Sequence, residues 1–323
     1  VSSEDLMDAS WLGLRVSVRT TAGGGRFTDT VGHLLDLTTG GAQVLRRDGR
    51  LTELVRADVV AAKVVPPEPV RPGWDVPPLT PDALQRICHA GWPPREVAPL
   101  GDWLRRAHGG ITGRANSTLA SGDPGRPLEE ALAQTAQWYA ERGLPPLLQL
   151  PLGDPVNPAL ERLGWERRHV TIVQVAPVDS LLRTLPEQPG LTTRLADRPD
   201  DVWCAMMHDL AADAATHLAI LTAPPVVTFA TVLRDGRPVG IGRASVDGAW
   251  TGITSVDVAP AARRQGVGSA VMRALVAWAA GVGARATYLQ VRAGNPGALR
   301  LYATLGYRTH HPYVYRAPAH DGA

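Results

Sequence analysis

The segment Arg263-Arg264-Gln265-Gly266-Val267-Gly268-Ser269 sets two guanidinium groups and an amide ahead of two glycines. Apolar residues at Val271, Leu275, Trp278 and Ala279 follow at the i, i+4, i+7, i+8 spacing of a helix with one buried face. The first N–H groups of such a helix have no intrahelical acceptor and point along the positive end of its dipole, so backbone alone can hold a phosphate there. Gly266 and Gly268 permit close approach and unusual dihedrals, Arg263 and Arg264 can add charge-assisted hydrogen bonds, and Ser269 adds a hydroxyl. The turn suits a pyrophosphate. No GxxxxGK[ST] run marks a triphosphate loop, and Val271 replaces the third glycine of GxGxxG. A GxG alone also fits a plain strand-to-helix turn with solvated arginines.

Turn signals place this segment at the end of a meander. Residues 229–233, 239–246 and 250–258 read as strands separated by Asp235-Gly236 and Asp247-Gly248. Further on, NPGALRLYATLG reads as a second helix with Asn295 as N-cap, Pro296 at its first position and Gly306 as terminator. Ala298, Leu301, Tyr302 and Leu305 fall on one stripe of it. From spacing alone Tyr302 is either a core aromatic or a phenol available for proton transfer.

The whole chain bounds these readings. Its 323 residues suffice for two or three domains. A net charge of +2 marks no nucleic-acid binder, and Lys63 is the only lysine among many arginines, as expected from a GC-rich coding sequence. Cys88 and Cys204 lie far apart without metal-ligand spacing, so neither a disulfide framework nor a zinc site is expected, and a reducing cytoplasm fits best. Glu4, Asp5 and Asp8 stand where an export signal would be basic, and no apolar run approaches the ~20 residues of a membrane span.

Residues 12–65 read as a small all-β barrel, with Asp48-Gly49 a strong hairpin signal. Seven prolines between Pro66 and Pro81 then mark a stiff linker. Beyond it the chain repeats itself. Residues 110–143 parallel 252–283, and 148–175 parallel 289–316, pairing Thr112 with Thr254, Trp138 with Trp278, Gln149 with Gln290 and Gly164 with Gly306 at a distance of roughly 140 residues. Two related α/β units in tandem are expected.

Arg263-Arg264-Gln265-Gly266-Val267-Gly268 resembles the [Q/R]xxGx[G/A] acetyl-coenzyme A motif of the GNAT acyltransferase superfamily. The flanking ITSVDVAP, TYLQV and NPGALRLYATLGY segments agree, and the resemblance covers about residues 190–316. It implies acetyl-coenzyme A as co-substrate, with no metal, and donor contacts from Val256, Val258, Arg263 to Ser269, Asn295 and Tyr302. It also makes Tyr302 the general acid. The small barrel followed by GRANS (113–117) further resembles a group of actinobacterial GNAT proteins with an SH3-like N-terminal domain. The expected layout is an SH3-like barrel at 1–66, a linker at 67–81, a degenerate GNAT-like unit at 82–180 and a catalytic one at 190–318. In the degenerate unit Asp123-Pro124-Gly125-Arg126-Pro127-Leu128 faces the glycine turn, with two prolines lacking N–H and a carboxylate that repels phosphate. Leu160 stands there in place of Tyr302.

The base is open. Asp257, sharing a strand face with Ser255 by period-2 alternation, is the only carboxylate on the strand before the motif, so it either takes the amine proton, directly or through water, or pairs with an arginine. His310 and His311 follow Gly306 and, as strand neighbours, should point to opposite faces. The expected reaction is transfer of an acetyl group to a primary amine, on a small molecule or a protein. The alternative is a coenzyme-A-responsive binding or regulatory protein without catalysis, and a third reading is an interaction scaffold centred on the barrel.

Overall fold

The structure, a computed structural model, describes residues 6–69, 73–208 and 213–319. Packing divides the chain into two compact units, both discontinuous in sequence. One comprises Val1–Pro72, Leu148–Gln174 and Val291–Ala323, the other Gly73–Leu147 and Val175–Gln290. These units cut across the four sequence ranges read above, which follow repeat and composition instead of packing.

In the first unit, β1 (Arg15–Thr21), β2 (Phe27–Leu37), β3 (Gly41–Arg46), β4 (Leu51–Val55) and β5 (Val59–Val64) form an antiparallel sheet in the order β4-β3-β2-β1-β5. Alternation drives it: Val16 and Val18 of β1 are fully buried and pack with Leu34, Val44, Leu54 and Val59. No closed barrel is found among the described residues. A 3-10 turn at Arg56–Asp58 carries β5 across to pair with β1, so no ladder joins it to β4. The hairpin at Asp48-Gly49 is as the dipeptide signals, with Gly49 N–H donating to Arg46 O (3.0 Å) and Asp48 Oδ1 accepting from Arg50 N (3.1 Å). Gly49 has φ 77°, and a Cβ there would lie 2.4 Å from the backbone oxygen of Leu299.

The remaining elements are, in chain order, α1 (Pro81–Ala90), β6 (Glu96–Leu100), β7 (Trp103–Ala107), β8 (Thr118–Leu119), α2 (Leu128–Ala140), β9 (Leu148–Pro151), α3 (Asn157–Arg162), β10 (Trp165–Pro177) and α4 (Val178–Thr184). Then follow β11 (Leu191–Ala196), α5 (Asp201–Met206), α6 (Ala214–Thr222), β12 (Val227–Arg234), β13 (Arg237–Asp247), β14 (Trp250–Val258), α7 (Val267–Gly281), β15 (Ala286–Arg292), α8 (Pro296–Thr304) and β16 (Arg308–Pro318). The internal repeat is visible as matched elements: β8, α2, β9, α3 and β10 run in the same order as β14, α7, β15, α8 and β16. No helix among the described residues is long and apolar enough to cross a membrane.

The first unit is completed by β9, β16 and most of β10, with α3 and α8. Arg167 on β10 reaches β2, donating to Asp36 Oδ1 and to Leu35 O, both at 3.0 Å. His33 of β2 lies near His310 and His311 of β16. Burial, with Arg15 and His310 nearby, pulls the His33 imidazole down to about 4, and burial likewise holds His311 well below the usual range. His310 and His311 do not diverge to opposite faces as strand alternation predicts, since their Nδ1 atoms approach to 2.7 Å. In the second unit burial also lowers His89 to about 4.

These imidazoles fold as neutral groups and take up protons on unfolding, where the value returns to about 6.5. Their contribution is therefore whole above about 6.5 and is lost as pH falls toward 4, by roughly 3 kcal/mol for His33 alone. The urea midpoint should drop steeply between pH 6.5 and 4.5, and less steeply in His33→Gln. A midpoint flat across that window would contradict the neutral burial.

In the second unit β11, β12, β13, β14 and β15 form a sheet in that order, antiparallel except for the parallel β14–β15 pair. α7 packs Val267, Val271 and Leu275 against β13 and also buries Met272, Val276 and Ala279. The contact is close because β13 is bare at Gly242, where a Cβ would stand 2.5 Å from Val271 Cγ1 and 2.9 Å from Leu275 Cδ1. Truncating Leu275, which is fully buried, belongs to the class of core deletions that cost about 2–5 kcal/mol.

Candidate active site

The glycine turn has the geometry its sequence demands. Gly266 is the N-cap of α7 with φ 78° in the left-handed region, and the first helical hydrogen bond runs from Ala270 N–H to Gly266 O at 3.0 Å. The N–H groups of Gly266, Val267, Gly268 and Ser269 thus precede that ladder and present the positive end of the helix. Val267 turns its side chain into the core, 1 % exposed, so only its backbone faces a ligand. Arg264 also has positive φ, 59°, and is exposed without an ion pair among the described residues. Arg263 Nε donates to Val258 O (3.2 Å), and Gln265 donates to Ala261 O (2.8 Å) while its oxygen accepts from Arg234. Three arginines therefore gather at the turn, and Arg234, at the end of β12, carried no sequence signal. Gln188 was also unforeseen: a Cβ on Gly266 would lie 2.2 Å from its Oε1. A groove of about 440 Å³ runs from Gln188 past Ala270, Arg273 and Ala277, but Arg273 is already tied to Glu187 (2.9 Å) and Leu185 O (2.8 Å).

The strand before the turn opens. β14 pairs with β15 only through Trp250↔Ala286, Thr251↔Thr287 and Gly252↔Tyr288. Beyond Gly252 its β15-side edge makes no ladder among the described residues. On its other side the register slips between Ile241 and Arg243, where β14 carries one extra residue and Ser255 adopts φ 52°. This bulge breaks the alternation that would place Ser255 and Asp257 on one face. Asp257 is instead held by Val258 N–H (2.8 Å to Oδ1) and by His208 Nδ1 at Oδ2. It pairs with a histidine, not an arginine. Val258 has both backbone groups engaged, the N–H by Asp257 and the oxygen by Arg263. Val256 is half-buried, its side chain 3.6 Å from where a Cβ on Gly242 would stand.

Asn295 and Tyr302 belong to the first unit. Asn295 Oδ1 caps α8 by accepting from Ala298 N (3.1 Å), Pro296 opens the helix, and Gly306 follows it with φ 101°. Tyr302 is 8 % exposed, its ring set edge-on to Tyr307 with centroids 5.7 Å apart. Its hydroxyl makes no hydrogen bond among the described residues, and burial pushes the phenol up to about 12.

The matching turn in the second unit's earlier half is closed by its own chain. Asp123 Oδ1 accepts from Gly125 N (2.7 Å), Asp102 Oδ2 accepts from Asp123 N (2.9 Å), and Pro127 caps α2 without a side-chain hydrogen bond. The Asp123 and Gly125 N–H groups are thus already used, and Pro124 and Pro127 have none.

A glycine in the left-handed region at the head of a helix, after an antiparallel meander whose last strand bulges and parts from its parallel neighbour, is the architecture of the GCN5-related N-acetyltransferases. A GCN5-related N-acetyltransferase from Kribbella flavida shares the fold with a TM-score of 0.59 at 20% identity, over 75% of this chain and 96% of that one. The family described as "Probable histone acetyltransferase Rv0428c C-terminal" matches residues 82–316. The "Probable histone acetyltransferase Rv0428c" of Mycobacterium tuberculosis is 31% identical over 322 residues, 95% of this chain and 96% of that protein. An "Uncharacterized N-acetyltransferase YobR" of Bacillus subtilis is 27% identical over 241 residues, 72% and 96% of the two chains. The chain belongs to this family of N-acetyltransferases.

Proposed function

We propose that this chain transfers the acetyl group of acetyl-coenzyme A to a primary amine by direct attack in a ternary complex. The observation that carries the reading is the left-handed Gly266 ahead of free helical N–H groups, beside a strand edge that has lost its ladder. The pyrophosphate sits on the N–H groups of residues 265–269, with Arg263 and Arg264 adding charge. Val256 and Val258 line the acyl arm, though Val258 must first release Arg263 or the Asp257 carboxylate. Asn295 and Tyr302 complete the donor contacts, with Tyr302 as the acid and Asp257 as the carboxylate behind amine deprotonation. The acceptor is a small-molecule amine or a protein lysine or α-amine. The name of the mycobacterial relative favours the protein. We assign residues 1–66 as an SH3-like module, 67–81 as linker, 82–180 as a donor-less GNAT-like unit and 190–318 as the catalytic one. Free Cys88 and Cys204 agree with a reducing cytoplasm as the working compartment.

Release of free thiol from acetyl-coenzyme A in the presence of lysine peptides and small amines tests the reaction. Thiol release that depends on an amine supports transfer. Tight donor binding without it would favour the regulatory reading.

The closed turn at Asp123 sets the stoichiometry. One coenzyme A should bind per chain in calorimetric titration, because Asp123 occupies Gly125 N–H and Pro124 and Pro127 offer none. Two equivalent binding events would overturn the assignment of residues 82–180 as lacking a donor site.

A further inference from the structure

The carboxylate of Asp257 is not presented to solvent alone. His208, 49 residues earlier in the chain, sets its Nδ1 against Asp257 Oδ2. Asp257 is held from behind, and His208 follows an anchored helix. Asp257 Oδ1 accepts from Val258 N–H at 2.8 Å, on the stretch of β14 beyond the Ser255 bulge where the β15 ladder has ended. His208 follows α5, whose Trp203 is 1 % exposed, donates from Nε1 to Gly242 O (3.3 Å) and stands edge-on to Phe229. Asp200 caps that helix through Trp203 N at 2.8 Å. The His208 side chain is nonetheless 57 % exposed, against 25 % for Asp257, and its Nε2 has no partner among the described residues.

We propose that His208 Nε2 is the group that takes the proton from the acceptor amine, with Asp257 as its positioning residue. The inference rests on the acetyltransfer reading above. A carboxylate of reference pKa about 3.9 is a weak base toward an ammonium near 10.4, whereas an imidazole near 6.5 is much better matched at neutral pH. A carboxylate on Nδ1 fixes the tautomer that leaves Nε2 able to accept, and it stabilises the imidazolium that forms. The step balances as follows. The ammonium gives one proton to Nε2, which passes it to water. The neutral nitrogen forms the C–N bond, the C–S bond breaks, and the nitrogen's second proton is matched by the one delivered to the departing sulfur. The products are an amide, a thiol and one proton.

The test uses acetyl-coenzyme A with whichever amine, among lysine peptides and aminoalkyl compounds, the wild-type chain acetylates fastest. In His208→Ala, kcat should fall by on the order of 10²- to 10³-fold, with coenzyme A affinity by calorimetry unchanged, and added imidazole should restore part of it. Asp257→Asn should also lower kcat, and imidazole should not restore it. A His208→Ala turnover within about threefold of wild type, a loss confined to KM, or a kcat loss that imidazole leaves untouched would each overturn the assignment. Failure of the wild-type chain to acetylate any amine in the panel would instead overturn the reaction itself.

Discussion

Gly268→Asp should leave the chain folded and abolish coenzyme A binding. Gly268 is the second residue of α7, half-buried, with a helical backbone that any residue adopts. An aspartate in a first turn stabilises a helix by about 0.3–1 kcal/mol through the dipole, so the variant's melting temperature should not fall. The same charge faces the site of the pyrophosphate. Like charges about 4 Å apart repel by about 1 kcal/mol in water and about 4 kcal/mol at a protein surface, and the added side chain also blocks approach to the N–H groups. Kd should rise at least about 100-fold in calorimetry. Stability and affinity are thus expected to move in opposite directions, which separates a lost ligand site from a damaged fold. Unchanged affinity would remove the turn from the donor site.

Tyr302→Phe should keep both fold and coenzyme A affinity while kcat falls by on the order of 10²- to 10⁴-fold. The hydroxyl has no hydrogen-bond partner among the described residues, so its removal strands no buried group, and the ring keeps its edge-on contact with Tyr307. With its value pushed up to about 12, the phenol stays protonated across the neutral range. That same shift makes it a reluctant donor. Leaving a tyrosinate behind while protonating a thiolate of reference pKa about 8.5 costs roughly 5 kcal/mol. If Tyr302 is the acid, it is expected to regain a proton from the attacking nitrogen as it donates, so that no tyrosinate accumulates. A Phe variant with near wild-type turnover would leave Tyr302 a packing residue.

The parts of this protein that were legible from sequence are those set by neighbours in the chain. Dipeptide turns bounded β14 at Trp250–Val258, Asn295 and Gly306 bracketed α8, and the Gly266 turn announced the head of α7. What stayed hidden depends on partners distant in sequence. The bulge at Ser255 exists only in relation to the register of β13, and His208 is an ordinary residue after a short helix until β14 brings Asp257 to it. Counting strands in residues 12–65 suggested closure, yet closure depends on whether β5 meets β4 or β1. The two histidines after Gly306 meet instead of parting, which alternation on an isolated strand does not foresee.

The tight seat of Gly49 bears on how this enzyme can be taken apart. Any side chain at position 49 would collide with the backbone of Leu299, one helical turn before Tyr302. The N-terminal sheet therefore packs against α8 and is not a detachable cassette. Deleting it to ask what it recruits would confound recruitment with turnover. Selection acting on α8 should leave its mark on residue 49, some 250 positions earlier in the sequence.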